Sequence, residues 1–450
     1  PPTVYPPRED TDLMAQTIAK LPKPGAKRLL EIGCGSGAIS IFAAQLGFTV
    51  TACDINPFAV AASRHAAVSN GVTINVREGG PGPNIDGTVE QWAGRKQHDI
   101  IVWNLPYLAH DNQSPLLGPL EEAALLDTDR RGLVSRLLKH LKSSKILSEN
   151  GLVFLLISNN EKGKSARTEC LANGFAIRTV ASKRFDDGEC LEVLGIWRPY
   201  HAKNITFVES IASTNTALME SDDAVGTLLY AGVQSSGHGR RGRPWSHEEQ
   251  AFAGSWVIDE IRGIPNPNQL QLRAGLALHQ AIIAMNISTE LVALKWPNDV
   301  LLRIGEETRK VGGVLVESRS QGKTTRIVLG IGCNISSKNH HKKEYSLAAL
   351  DELSQRASTE VFLPIIHASV ASWLEDKEGI EALRNDNVIS AFETSLLASI
   401  PSLGEPIYRN IMMQFHSVKP DGNIQLVDQN QRLHQIEDGE DVRWTKYRQN

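Results

Sequence analysis

Between Lys27 and about Trp197 the sequence alternates short apolar, β-rich runs with helical patterns: RLLEI, AISIFAAQL, FTVTACD, PFAVAASRHAAVSN, TINV, and later DIIVWN and GLVFLLIS. No other feature of the chain limits its fold as sharply. Strand, helix and strand in that order need crossover connections, and these build a parallel sheet with helices on both faces. An α/β domain is expected over residues 1–200. Around Trp197 to Lys203 the apolar periodicity lapses, Pro199 interrupts it, and a new apolar run opens at Ile205. The domain boundary is expected there. Strand patterns return at GTLLYAGV, SWVIDEI, GGVLVES and RIVLGIG, among the helix-like stretches LRAGLALHQAIIAM and LPIIHASVASWLED. They predict an α+β domain over 204–400. From Gly404, short strands alternate around Pro420-Asp421-Gly422, so residues 401–450 read as a small β-barrel or sandwich.

A chain of 450 residues exceeds what one hydrophobic core usually serves, in keeping with that division. With 41% hydrophobic and 22% charged residues it is neither disordered nor fibrous. A net charge of -4 argues against a broad nucleic-acid footprint, and no DNA partner is expected. No run approaches a transmembrane length, and the opening PPTVYPPREDT lacks the basic-then-apolar order of a secretory leader. The five cysteines never form a CxxC pair, which disfavours a disulfide framework or a zinc knuckle and fits a cytoplasmic protein.

Four features of the second half fall in a consistent order. Ser213-Thr214-Asn215 precedes the helix-forming ALME and, taken alone, reads as a helix N-cap. Gln234 opens the glycine-punctuated basic loop Gly237-His238-Gly239-Arg240-Arg241-Gly242-Arg243-Pro244-Trp245. Such a loop suits phosphate, because glycine lets backbone amides approach and guanidinium groups offer fixed forks of donors. By itself it also reads as a solvated surface loop. Lys295-Trp296-Pro297-Asn298-Asp299 places a lysine, an amide and a carboxylate on a proline-stiffened turn, suited to a triphosphate and its magnesium. Lys310 then leads the Gly312-Gly313 strand, and Gly330-Ile331-Gly332-Cys333-Asn334 follows. Glycine inside a strand often marks the close approach of a ligand.

Together these features resemble the biotin protein ligase family. The resemblance implies that biotin is activated with ATP and Mg²⁺ to biotinyl-5'-AMP, then passed to a lysine of a biotin carboxyl carrier protein. By the same resemblance Ser213, Thr214, Asn215, Gln234, His238, Gly239, Arg240, Lys310 and Gly312 line the biotin site. Arg240, Arg243, Trp245, Lys295, Asn298, Asp299 and Asn334 serve ATP, with Lys310, Arg240 and Lys295 as catalytic cations and no protein metal site. Residues 401–450 match the position of the family's SH3-like domain. One departure is plain: His238 stands where the family usually has the first arginine of a Gly-Arg-Gly-Arg loop. An imidazole cannot make the same forked contact.

In the first half, RLLEI runs into Gly33-Cys34-Gly35-Ser36-Gly37, Asp54 ends the next strand, and Asn104-Leu105-Pro106-Tyr107 follows DIIVW. The glycine turn and the acidic strand end suit a dinucleotide equally well. The Asn-Leu-Pro-Tyr segment decides, and the set resembles class I S-adenosylmethionine-dependent methyltransferases with a Rossmann-like sheet. The resemblance implies that Glu31, Gly33, Gly35, Gly37, Asp54 and Asn104 hold S-adenosylmethionine. It makes Asn104 the catalytic residue, with Leu105, Pro106 and Tyr107 beside it at the methyl-acceptor site. Val4 to Thr11 (VYPPREDT) and Asp129-Arg130-Arg131-Gly132 look like the branch that modifies a release-factor glutamine, whereas the leucine of Asn-Leu-Pro-Tyr is familiar from ribosomal RNA adenine methyltransferases. The protein substrate is favoured because the chain is not basic.

Other residues take plainer readings. His340-His341 reads as a solvated loop, Cys34 as turn packing, Trp256 and the Leu272 to Ile283 stripe as core, and Glu121, Glu122, Asp127 and Asp129 as a solvated helix start. Two competing readings stand beside the bifunctional enzyme: a ligase with a non-catalytic methyltransferase-like interaction module, and a biotin-responsive DNA-binding repressor. The oligomeric state is left open.

Overall fold

A computed structural model describes residues 4, 6–22, 25–81, 88–106, 132–186, 188–243, 245, 251–262, 266–337 and 347–447. Tyr107, Asp129 to Arg131, the Glu121 to Asp127 stretch, His340-His341 and Pro244 lie outside them. The chain divides into two compact units, Pro1–His201 with Asp376–Glu381, and Ala202–Glu375 with Ala382–Asn450.

The first unit runs α1 (Glu9–Ala19), β1 (Arg28–Ile32), α2 (Ala38–Gln45), β2 (Thr49–Asp54), α3 (Pro57–Ser69), β3 (Asn75–Glu78), α4 (Val89–Ala93), β4 (His98–Asn104), α5 (Leu133–Ser143), β5 (Leu147–Ser158), α6 (Glu161–Ala172), β6 (Ala176–Arg184) and β7 (Cys190–Trp197). Its seven strands form one sheet in the order β3-β2-β1-β4-β5-β7-β6. Strands β1 to β5 are parallel, as the alternating pattern predicts. Their apolar runs are continuous because both faces are covered, and Leu29, Leu30, Ile101, Phe154 and Leu155 are fully buried. The last pair departs from the expected parallel sheet, since β7 runs antiparallel to both β5 and β6. The connection explains it: Phe185 N donates to Glu189 O at 2.8 Å and Gly188 N to Phe185 O at 3.1 Å, a turn too short for a crossover.

The second unit runs β8 (Ile205–Ile211), α7 (Thr214–Glu220), β9 (Leu228–Gln234), β10 (Ala251–Arg262), α8 (Pro267–Ala284), β11 (Val292–Lys295), β12 (Asp299–Ile304), β13 (Glu307–Gln321), β14 (Thr324–Asn334), α9 (Thr359–Leu374) and α10 (Asn385–Leu403). Its main sheet has the order β11-β12-β13-β14-β10-β9-β8, with only β8 and β9 parallel, because α7 forms a crossover between them. Helix α8 lies over β11 and β13, and its Leu272, Leu276 and Ile282 are buried as their spacing predicts. Beneath it Trp256 donates from Nε1 to His367 Nδ1 at 3.0 Å. Burial lowers His367 to about 4, so the ring stays neutral and accepts that bond.

From Pro406 the chain forms two three-stranded antiparallel sheets, β16-β15-β20 and β17-β18-β19, from β15 (Pro406–Tyr408), β16 (Ile411–Met412), β17 (Gln414–Val418), β18 (Ile424–Val427), β19 (Leu433–Ile436) and β20 (Val442–Trp444). The expected Pro-Asp-Gly turn joins β17 to β18, closed by Lys419 N to Asn423 O at 2.8 Å. No described helix is long and apolar enough to cross a membrane.

Candidate functional site

The four ordered segments of the second half converge on one pocket. Ser213, Thr214, Asn215, Gln234, His238, Gly239, Trp245, Asn298 and Lys310 line it, with Ser255 and Gly313 to Leu315 beside them. Ser213 is also the N-cap of α7, accepting from Thr216 N at 3.4 Å. The cap therefore serves the site by fixing where the helix starts, so that the buried Thr214 and Asn215 belong to the wall.

Short polar contacts run across the floor. Thr214 N donates to Gln234 Oε1 at 2.7 Å, and Thr214 Oγ1 lies 2.9 Å from the same oxygen. Thr214 Oγ1 is 2.7 Å from Ser255 Oγ, which is 2.6 Å from Asn215 Oδ1. Asn215 Nδ2 donates to Glu317 Oε2 at 2.7 Å, and Glu317 Oε1 faces His238 Nε2 at 3.2 Å. The three hydroxyl contacts among Gln234, Thr214, Ser255 and Asn215 share two hydroxyl hydrogens, so this floor is rich in acceptors.

At the other end Lys310 Nζ is 2.6 Å from Asp299 Oδ1, and Lys295 Nζ is 3.3 Å from Asp299 Oδ2. Burial alone would raise the Asp299 carboxyl, but Lys310 and Lys295 more than reverse this and hold it down to about 2. Burial lowers Lys295, which is 2% exposed, while Asp299 pulls it back up. The cluster of two lysines and one carboxylate carries a net positive charge. Tyr447 places its ring 5.6 Å from Lys295 Nζ. Asn298 Nδ2 donates to Val314 O at 3.1 Å.

Other expected residues stand apart from the wall. Gly312 is a backbone neighbour: a Cβ there would lie 2.7 Å from Gly332 O. Asn334 Nδ2 donates to Ala348 O at 2.9 Å. Arg240 sits 3.7 Å from Asp438, Arg241 pairs with Asp438, and Arg243 pairs with Glu440. The strand glycines make room for site side chains: a Cβ on Gly330 would collide with the Asn215 amide, and one on Gly332 would lie 2.5 Å from the Trp245 ring. Sequence reasoning missed Ser255, Glu317, Asp438, Glu440 and Tyr447. Each sits in an ordinary strand or turn context and reaches the site only through contacts some forty or more residues away in sequence.

In the first unit the glycine turn after β1 carries Gly33, Gly35 and Gly37 at φ values of 69°, 51° and 82°. These are left-handed conformations that favour glycine, and a Cβ on Gly37 would also meet Ser63 Oγ at 2.9 Å. Asp54 closes the turn, accepting Gly35 N and Asn56 N at 2.9 Å each. Burial raises its pKa. Glu31 is buried on β1, takes the Ser40 hydroxyl, and is pushed by burial up to about 8. Asn104 ends β4, and its Nδ2 donates to the buried Asp10 Oδ2 at 2.7 Å. Its Oδ1 is buried and accepts no hydrogen bond among the described residues. The Asp10 contact fixes the amide's orientation and leaves its oxygen as an acceptor.

A polar pocket backed by paired lysines, and a glycine turn closed by an acidic strand end, define a two-module enzyme of the mixed α/β class. A biotin/lipoate A/B protein ligase family model matches residues 207–334, and a ribosomal protein L11 methyltransferase (PrmA) model matches residues 8–110. Over 187 residues the chain is 32% identical to a biotin–acetyl-CoA-carboxylase ligase of Paracoccus denitrificans, covering 40% of this chain and 72% of that one. The chain belongs to the biotin/lipoate A/B protein ligase family, and it carries an N-terminal PrmA-like methyltransferase domain matched over residues 8–110. Over 198 residues it is 29% identical to a protein named as an N5-glutamine methyltransferase in Methanocaldococcus jannaschii, covering 44% of this chain and 93% of the relative. Among solved structures, a biotin protein ligase from Aquifex aeolicus in complex with biotin and ATP is 23% identical, covers 54% of this chain and 100% of that one, and has a TM-score of 0.42.

Proposed function

We propose that the second unit activates biotin and transfers it to a carrier lysine. The acceptor-rich floor carries this reading, since biotin's ureido ring brings two N–H donors beside a carbonyl, which is what a floor short of hydrogens calls for. In the first step a biotin carboxylate oxygen attacks the α-phosphorus of ATP. The bond to pyrophosphate breaks, and biotinyl-5'-AMP forms. Lys310 on the pocket wall, with Lys295 behind it across Asp299, would supply cations for the added negative charge. In the second step a lysine amine of a biotin carboxyl carrier protein attacks the acyl carbon, and AMP leaves as the amide forms. Positioning and charge suffice, with no protein nucleophile. ATP–pyrophosphate exchange that depends on biotin tests the reading. Lys310→Ala and Arg240→Ala should each lower it at least about a hundredfold, and full exchange in both variants would misplace the site.

Asp299 is poorly suited to magnesium, because both of its oxygens face lysines. Among the described residues no group of three His, Cys, Asp or Glu is arranged to hold a metal. The residues do not fit a resident magnesium ion, and no step here uses one.

For the first unit the reading is an S-adenosylmethionine-dependent N-methyltransferase acting on a release-factor glutamine. A glutamine side-chain amide would offer an N–H donor to the buried Asn104 Oδ1, which accepts none among the described residues. Asp54 would take the ribose hydroxyls, and the turn at Gly33 to Gly37 would let the cofactor approach the backbone. Calorimetry with S-adenosylmethionine tests this: micromolar binding that Asp54→Ala abolishes is expected, and no binding by the wild-type chain would leave the domain an interaction module. The ligase reading keeps residues 204–400 as the catalytic domain and 401–450 as its SH3-like domain, with a cytoplasmic setting.

A further inference from the structure

We propose that Glu317 is a positioning residue that holds the Gly/Arg loop down over the pocket, an inference that rests on the ligase reading. Glu317 projects from β13, opposite Val328 of β14, with about a third of its side chain exposed at the pocket rim. Its two carboxylate oxygens serve different elements. Oε2 accepts from Asn215, 102 residues away at the start of α7, and Oε1 takes His238, 79 residues away in the Gly/Arg loop.

The consequence appears when the contacts are followed in order. From Gln234 they pass to Thr214, Ser255, Asn215 and Glu317, and then return to His238, four positions after the start. The belt therefore begins and ends in one short stretch of chain. Both stems of the loop are tied by backbone: Ser235 N to Ile211 O at 3.0 Å, Ser236 N to Ala212 O at 2.9 Å, and Trp245 N to Gly237 O at 2.9 Å. Arg241 and Arg243 anchor its outer side to Asp438 and Glu440. His238 and Trp245 are the loop side chains on the pocket wall, and Glu317 is the carboxylate partner of His238.

A ligand leaving the pocket past this loop must break the His238 to Glu317 contact. Loss of Glu317 also frees the Asn215 amide to rotate, which disturbs the hydrogen bond from Ser255. Glu317 pairs with Asn215 and His238 and not with the Lys310, Lys295 and Asp299 cluster, so its effect falls on retention and on KM rather than on the bond-making step. An imidazole meets the carboxylate through one atom, whereas a guanidinium could grip both oxygens.

The test uses the full chain and measures two quantities: the release rate of preformed biotinyl-5'-AMP, and KM for biotin against kcat in ATP–pyrophosphate exchange. Glu317→Ala should raise KM and the release rate about tenfold each, and Glu317→Gln, which keeps an acceptor for Asn215, should recover most of the loss. His238→Arg should slow release in the wild-type background and do nothing in Glu317→Ala. Unchanged release in Glu317→Ala, or an equal effect of His238→Arg in both backgrounds, overturns the proposal. If Glu317→Ala does not fold, the same cycle is read in Glu317→Gln, where a reduced His238→Arg effect supports the tether and an undiminished one refutes it. A wild-type chain with no biotin-dependent exchange would instead remove the ligase reading.

Discussion

Two carboxylates show how charge is managed inside the two units. Asp299 stands between Lys310 and Lys295, and its depressed pKa makes it a stabilising group at neutral pH. The stabilisation is present above the unfolded value near 4 and is lost as pH falls toward about 2. Asp299→Asn should leave the buried Lys295 and the half-buried Lys310 uncompensated, lowering the melting temperature at pH 7 and much less at pH 2.5. Glu31 behaves oppositely: its folded pKa of about 8 lies above the unfolded value, so stability is full below about 4.5 and drains as pH rises toward 8. Glu31→Gln should therefore raise the melting temperature of the first unit at pH 8.5 and leave it nearly unchanged at pH 4.5. Equal shifts at both pH values would show that the carboxyl is not held neutral. Lys295 and Lys310 were legible because each sits in a compact, unusual run of sequence. Glu317 was not, because VLVES is an ordinary strand end and its partners lie 79 and 102 residues away.

At the scale of elements, spacing carried most of the fold and little of the register. The runs RLLEI, FTVTACD and DIIVWN became β1, β2 and β4, and the helix start at Ser213 proved to be both cap and pocket wall. The antiparallel β7 was not legible from a strand-helix rhythm, since a turn of a few residues, rather than any pattern in the strand, sets its direction. The strand glycines were legible as unusual but not in their cause. Gly330 and Gly332 alternate along β14 on one face, where Asn215 and Trp245 lie against the bare backbone. Gly330→Ala should push Asn215 from its place and raise KM for biotin about tenfold, at a stability cost of about 1–3 kcal/mol. Biotin titrations and urea melts of that variant against the wild-type chain provide the measurement.

For the whole molecule, the sequence gives one natural place to divide the chain, near Trp197 to Lys203, and the compact units divide it at three. Asp376–Glu381 returns to the first unit, where Ile380 is buried, Lys377 binds Asn150, and Arg178 Nη1 donates to Glu381 O at 3.1 Å. Gly195 of β7 is bare beneath it: a Cβ there would lie 2.5 Å from Ile380 Cδ1. No pattern in the LEDKEGIEAL stretch announces this, because its partners are Asn150, Arg178 and Gly195. A fragment ending at His201 should melt several degrees below the same unit in the whole chain, with amide exchange quickened along β7. Equal melting would mean that the segment adds no stability. Joining two genes end to end writes a single crossing between the products. Here six residues written inside the stretch that otherwise builds the second unit complete the first, so a cut at His201 takes a piece of the first unit away with the rest.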